Sequence, residues 1–331
     1  MKRRIPKLKI KALTLILLTS LIIAAMISCN TSQKAPDTSE TESDIDVMRP
    51  ETDTKANETA SESDSSDSES TEDDLENAFV YVALGDSIAY GYGLIDFDNE
   101  RYSALIDDKI SDSKNYTSFN YAVNGDDSTD LINLIKSGDV PELKHADLIT
   151  VSIGANNVLG SSLAKLSEYY LYETSVTDEN LKKIRIPQIY NEMMQQNADG
   201  TARFATDIVT ITELIKSEAP DAQIIFQTIY NPYRKLDLTF DFIENTLDLA
   251  KETDRLVTNL NSIIVSNAEK LGYDIADVYS AFNALDNVVN ADSFSGNISD
   301  FATSIFEADP HPNKLGHQVI AETILPIIKL N

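Results

Sequence analysis

Between residues 78 and 331, five short apolar runs rich in β-branched and aromatic residues recur, separated by longer stretches of helical periodicity. The runs are Phe79–Leu84, Ser118–Ala122, Leu148–Ile153, Gln223–Thr228 and Tyr273–Val278. The helical stretches are Tyr102–Ile110, Ser128–Ser137, Ala202–Ser217, Ile243–Leu271 and Lys314–Lys329. Nearly continuous apolar runs leave no face for water, so they predict strands covered on both sides, with the helices as the crossovers that parallel strands need. The expected fold class is α/β, a three-layer sandwich around a parallel sheet. Ligands of such a sheet sit beyond the carboxyl ends of its strands, so the residues just after each run are where chemistry is expected.

Polar, glycine-containing turns occupy those places. Gly85-Asp86-Ser87 with Gly91 follows the first run, and Asn120 with Gly125-Asp126 closes the second. Gly154-Ala155-Asn156-Asn157 follows the third, and Asp309-Pro310-His311-Pro312-Asn313 with Gly316-His317 stands near the C-terminus. Together they bring a hydroxyl, an imidazole, side-chain amides and exposed backbone N–H groups, the set that acyl transfer needs. A serine hydroxyl is a weak nucleophile until an imidazole removes its proton, and a further group must hold that imidazole in the right tautomer. Ser87 and His311 are the candidates. The backbone N–H groups of Ser87 and Gly125 with the Asn156 amide are candidate donors to the oxyanion, and glycine at 125 leaves no Cβ in the way of substrate.

These four blocks, in this order, resemble those of the GDSL, or SGNH, hydrolase family, named for the Ser, Gly, Asn and His they contain. The resemblance covers roughly residues 78 to 331 and implies a flavodoxin-like sheet of five parallel strands. It also implies a serine esterase or lipase activity that needs no metal or other cofactor. Two positions depart from the family pattern. The third block commonly reads Gly-x-Asn-Asp, and Asn157 stands here in place of the acid, where it is expected to support the site, as is Asp86. The acid that orients the histidine usually lies three residues before it, a position held here by Ala308. Asp309, two residues before His311, is the expected orienting acid, with a backbone carbonyl as the alternative. Plainer roles stand beside these: Asp86 and Asp126 as caps of the following helices, His317 as a helix residue packed near the site, and His145 as a surface residue. A metal site built from His311, Asp309 and His317 is disfavoured, since no third imidazole accompanies them.

The N-terminal quarter reads differently. Lys2, Arg3, Arg4, Lys7, Lys9 and Lys11 precede an uncharged, mostly apolar run from Ala12 to Ile27, the layout of an export signal too short to span a bilayer as a helix. It ends in Met26-Ile27-Ser28-Cys29, which resembles a bacterial lipobox and implies cleavage after residue 28 and lipidation of Cys29, the one cysteine of the chain. Residues 29–77 follow as an acidic, Ser/Thr-rich stretch with too little apolar surface to fold, a tether between membrane and domain. The expected location is the outer face of the bacterial cell membrane, or otherwise the medium.

The domain from 78 onward keeps 38 acids against 18 bases, which argues against nucleic acid or any other polyanion as partner. The expected substrate is a carboxylic ester, small or lipid-like. Carbohydrate O-acetyl esters and thioesters are alternatives for the same site, and a non-catalytic binding lipoprotein is the alternative class. The chain is expected to act as a monomer. Residues 157–200 form an expected helical insertion with apolar positions Leu159, Leu163, Leu166 and Tyr170, then Ile186, Ile189, Tyr190 and Met193. This stripe serves either as a wall of the acyl pocket or as a docking face on the core. Residues 282–306 and Tyr230-Asn231-Pro232-Tyr233 are the other expected walls.

Overall fold

The computed structural model describes residues 75–111, 115–294 and 308–330. The leader, Cys29 and almost all of the tether lie outside the described residues, as do residues 295–306 of the expected wall before Asp309. The first elements are β1 (Phe79–Gly85), α1 (Ser87–Tyr90), α2 (Phe97–Glu100), α3 (Tyr102–Ile110), β2 (Tyr116–Asn120), α4 (Ser128–Ser137) and β3 (Leu148–Ser152). There follow α5 (Leu159–Ser175), α6 (Glu179–Glu218), β4 (Gln223–Gln227), β5 (Thr239–Asp241), β6 (Thr246–Asp248), α7 (Leu249–Leu271), β7 (Asp274–Ala276), α8 (Val278–Asn283) and α9 (Lys314–Ile324).

Five strands form one parallel sheet in the order β2-β1-β3-β4-β7. Successive side chains of a strand face opposite ways, and the burial follows that period. Val80, Val82 and Leu84 of β1 join Ile149, Val151, Ile224 and Phe226 in one apolar cluster, while Tyr81 and Ala83 join Leu148 and Ile225 in the other. Residues of α4, α7 and the second half of α6 cover the first face; residues of α3, α8 and α9 cover the second. The strand order reverses at β1, so the crevice for a ligand lies past the ends of β1 and β3. The register brings those ends level: Gly85 pairs with Ser152, and Ala83 pairs with Asn120.

Four expected elements differ in extent. The second strand begins at Tyr116 and ends at Asn120, whose side chain accepts from Ala122 N at 2.9 Å and so turns the chain out of the sheet. The last strand is confined to Asp274–Ala276. Residues 243–248 are not helical: β5 and β6 make an antiparallel hairpin whose turn holds Ile243 at φ 73°, and α7 starts only where the Asp248 side chain accepts from Lys251 N. At the C-terminus α9 stops at Ile324 and passes into a short 3-10 turn containing Pro326.

The insertion is not a separate unit. Its second helix is the start of α6, which runs for 40 residues from one core cluster, through Ile186, Ile189 and Met193, to the other, through Phe204, Ile208, Ile211 and Ile215. Gly200 does not break it. A Cβ there would lie 1.8 Å from the Asn157 carbonyl oxygen, so glycine is what lets α6 press against the turn carrying Asn156 and Asn157. The apolar stripe of the insertion docks on the core: Leu166, Ile186, Ile189 and Met193 are buried, and Leu163, Tyr170 and Tyr190 pack against them. Tyr169 and Tyr190 also pack on Phe242 of the hairpin, with ring centroids 4.5 and 5.3 Å apart.

Candidate active site

The backbone ties the four blocks to one another before any side chain is considered. Asp86 N donates to Ser152 O at 2.9 Å, and Val123 N donates to Gly85 O at 2.9 Å, so the turns after β1, β2 and β3 are joined. Asn156 Nδ2 donates to Asp126 O at 2.8 Å and closes the third block on the second. Asn120 Nδ2 donates to Ala89 O at 2.8 Å and to Ser103 Oγ at 2.9 Å, which fixes α1 against α3.

Ser87 is the first residue of α1, whose N-cap is Asp86, with its side chain accepting from Ile88 N at 3.0 Å. Ser87 Oγ lies 2.9 Å from His311 Nε2, and His311 Nδ1 lies 2.5 Å from Asp309 Oδ1. The three sequence candidates therefore meet in one chain of hydrogen bonds. The same Asp309 Oδ1 accepts from His311 N at 3.1 Å, so a carboxylate two residues back does reach the imidazole. Ala308 is buried and takes no part. The Tyr230 hydroxyl donates to Pro310 O at 2.8 Å and props the loop from beneath. Tyr230, Asn231, Pro232 and Tyr233, expected to line the crevice, are all buried, and Asn231 Nδ2 donates to Ala250 O at 2.9 Å.

Gly125 has φ 92°, a conformation that glycine adopts freely, and a Cβ built there would meet nothing within 4 Å. The space a side chain would fill there is open. Asn156 spends one amide hydrogen on Asp126 O, and its NH2 group carries a second. The exposed ring of Tyr92 covers one side of the imidazole, its centroid 4.6 Å from that of His311.

Burial dominates the electrostatics. It pushes the Asp86 carboxyl up to about 7, against the opposing pull of the Ile88 amide and of His311. Burial, with the charges of Asp130, Asp86 and Asp127, also pushes Asp126 up to about 7. Asp309 is partly buried too, which raises it, but hydrogen bonds from His311 and Asn290 prevail and hold it below the usual carboxylate range. His317 is fully buried, which takes its imidazole down to about 3. The neutral ring accepts from Tyr102 N at Nδ1, 3.2 Å away, and stays out of the Ser87 chain.

Two assignments are corrected. Asp127, not Asp126, caps α4, accepting from Thr129 N and Asp130 N while the Asp130 side chain accepts from Asp127 N. His145, expected as a surface residue, is half-buried, with Nε2 inaccessible. Asn157 supports the site at one remove: it accepts from Ser128 N at 3.2 Å and donates to Ser128 Oγ at 2.7 Å, and Ser128 Oγ donates to Asp207 Oδ2 at 2.7 Å. Gly200, Asp207 and Asn290 were not indicated by any sequence motif. Each acts on a block distant in sequence.

The profile of the GDSL-like lipase/acylhydrolase family matches residues 83–319, a span that holds every block described above. The chain belongs to that family. It is a serine ester hydrolase. No curated protein sequence matches this family member. Solved structures do: a phospholipase A1 from Streptomyces albidoflavus NA297 is 18% identical, covering 76% of this chain and 98% of its own, with a TM-score of 0.50. An extracellular lipase from Streptomyces rimosus is 19% identical over 76% of this chain and 98% of its own, with a TM-score of 0.49. An acetylxylan esterase from Geobacillus stearothermophilus is 14% identical over 76% and 95%, with a TM-score of 0.45. At these identities the likeness concerns the fold.

Proposed function

We propose that this GDSL-family hydrolase cleaves neutral carboxylic esters through an acyl-enzyme on Ser87. The observation that carries the reading is the unbroken Ser87–His311–Asp309 chain, 2.9 Å and 2.5 Å long at its two links. Ser87 Oγ attacks the carbonyl carbon while His311 Nε2 takes its proton, and Asp309 at Nδ1 stabilises the resulting imidazolium. The carbonyl oxygen gains the charge and is met by the Ser87 and Gly125 N–H groups and the Asn156 amide. As the tetrahedral centre collapses, the alkoxide leaves with the proton from His311. Water then repeats the sequence on the acyl-enzyme, releases the acid and restores Ser87.

The surroundings favour an uncharged acyl group of appreciable size. Asp309, held below the usual carboxylate range, keeps its negative charge one hydrogen bond from His311, so an anionic group beside the scissile bond would meet like charge. Exposed Tyr90, Tyr92 and Val123 flank the serine turn and offer apolar surface instead. The domain is proposed to work at the outer face of the cell membrane, with residues 1–28 as leader, lipidated Cys29 as anchor and residues up to 77 as tether.

A series of p-nitrophenyl esters from acetate to palmitate tests the reading. Turnover that rises beyond acetate and disappears in Ser87→Ala is the expected result. Full activity in Ser87→Ala refutes the acyl-enzyme, and turnover confined to acetate moves the weight to O-acetyl esters. Labelled palmitate incorporated by cells into the wild type but not into Cys29→Ser tests the anchor.

A further inference from the structure

Asp309 orients His311 through a single oxygen, Oδ1, which already serves both the backbone amide and Nδ1 of that residue. From two residues back, an aspartate readily caps its own turn, which is the first of these bonds and does nothing for the imidazole. The last torsion of an aspartate side chain is broad, so one anchored oxygen does not fix the plane of the carboxylate. A second anchor is present. Asn290 Nδ2 donates to Asp309 Oδ2 at 2.8 Å, from 19 residues away in the chain.

Asn290 is itself held in register with the histidine loop. Its backbone N donates to His311 O at 3.0 Å, Ala291 N donates to Asp309 O at 2.9 Å, and Asn313 N donates to Val288 O at 3.1 Å. Val289 and Pro312 form an antiparallel bridge within this short ladder. Behind it, Asp292 Oδ2 accepts from Val288 N at 3.1 Å and from Arg234 Nη2 at 2.8 Å, a buried pair that pins the strip to the domain. On the open side Gly93 lies so close that a Cβ there would be 3.5 Å from Asp309 Oδ2 and 3.6 Å from Asn290 Nδ2.

We propose that Asn290 is the positioning residue for Asp309: by holding Oδ2 it sets the carboxylate plane so that Oδ1 meets His311 Nδ1 despite the shortened acid-to-histidine spacing. The inference rests on Ser87, His311 and Asp309 being the acyl-transfer site. It assigns to Asn290 a kinetic effect that passes through Asp309 and leaves substrate binding alone.

The test compares the full chain with Asn290→Ala, Asn290→Asp, Asp309→Ala and the Asn290→Ala/Asp309→Ala double variant. Turnover of a p-nitrophenyl ester and the rate of Ser87 modification by a fluorophosphonate are measured together. Asn290→Ala is expected to lower kcat about 10- to 100-fold with KM within about twofold, and to slow fluorophosphonate labelling in parallel. In the Asp309→Ala background the same substitution is expected to cost less than about twofold more, because its partner is gone. Should Asn290→Ala not fold, the near-isosteric Asn290→Asp carries the test, since it sets two carboxylates against each other and must be at least as impaired. A kcat within twofold of wild type in either variant, or losses that multiply in the double variant, overturns the inference. Wild type that is inert and unlabelled at Ser87 overturns the proposed function as well, whereas labelled wild type with undisturbed Asn290 variants removes only the role of Asn290.

Discussion

Asp309 accepts two hydrogen bonds from His311 at one oxygen, the backbone amide at 3.1 Å and Nδ1 at 2.5 Å. The shortened spacing of acid and histidine thus closes a turn and orients a base with the same atom. A neutral amide at 309 keeps the shape of the turn but presents the imidazole with the wrong hydrogen-bond partner. Asp309→Asn is therefore expected to lower kcat/KM by about 10²- to 10⁴-fold with the melting temperature little changed. Steady-state kinetics beside a thermal melt checks it, and near-normal activity would hand the orienting role to a backbone carbonyl.

Asn157 explains how the third block dispenses with its usual acid. The chain of donors runs from Asn157 Nδ2 to Ser128 Oγ and from Ser128 Oγ to Asp207 Oδ2, each link 2.7 Å long. A carboxylate at 157 donates nothing, so the single hydroxyl proton of Ser128 would face two anions. Asn157→Asp is expected to destabilise the fold by about 1–3 kcal/mol at neutral pH, and adding Asp207→Asn should restore much of it. Denaturant unfolding of the two variants gives the answer; equal stability of Asn157→Asp and wild type would contradict it.

Gly200 sets how closely α6 approaches the Asn156 turn. A Cβ at 200 would lie 1.8 Å from Asn157 O and 2.9 Å from its carbonyl carbon, backbone atoms that cannot swing aside as a side chain could. Gly200→Ala is expected to cost about 1–3 kcal/mol of stability and to lower kcat, because the displaced turn carries the Asn156 amide. Unfolding and turnover measured on the same preparation test both halves of the prediction.

His317 links stability to pH. Its folded-state value of about 3 lies below the ordinary 6.5, so the folded chain binds fewer protons than the unfolded one between those limits. The contribution of the neutral ring is complete above about pH 6.5 and is lost as the pH falls toward 3. Buried Asp86, raised from 3.8 to about 7, acts with the opposite sign, disfavouring the fold as the pH rises through that window. The difference between wild type and variant isolates each group. The stability advantage of wild type over His317→Gln is expected to shrink from pH 7 to pH 5, and that over Asp86→Asn to shrink from pH 5 to pH 8. Melting temperatures at these three pH values decide it, and parallel pH profiles would contradict the assignment.

The sheet and the site differed in how far they could be read from the chain. Buried parallel strands announce themselves as apolar runs, and Ser87, Asn156 and His311 stand in glycine-marked turns beside them, so their convergence was legible. What escaped was set by contacts with no local pattern. Gly200 looks like an ordinary helix residue until Asn157 O lies against it. Asp127 outcompetes its neighbour Asp126 as cap because only its side chain pairs reciprocally with Asp130. The hairpin of β5 and β6 was hidden because Ile243 and Leu247 suit a helix as well as a strand, and its docking partners Tyr169 and Tyr190 lie on other elements. Asn290 reaches Asp309 across a loop closure that no spacing rule marks.

The most direct measurement is an acid quench of the full chain during turnover of a p-nitrophenyl ester, followed by mass analysis of the peptide containing residue 87. An acyl group on Ser87, present in the wild type and absent from Ser87→Ala, is the predicted result. Turnover that proceeds with no acyl group on that peptide, in a chain whose Ser87→Ala variant keeps its rate, would contradict the account.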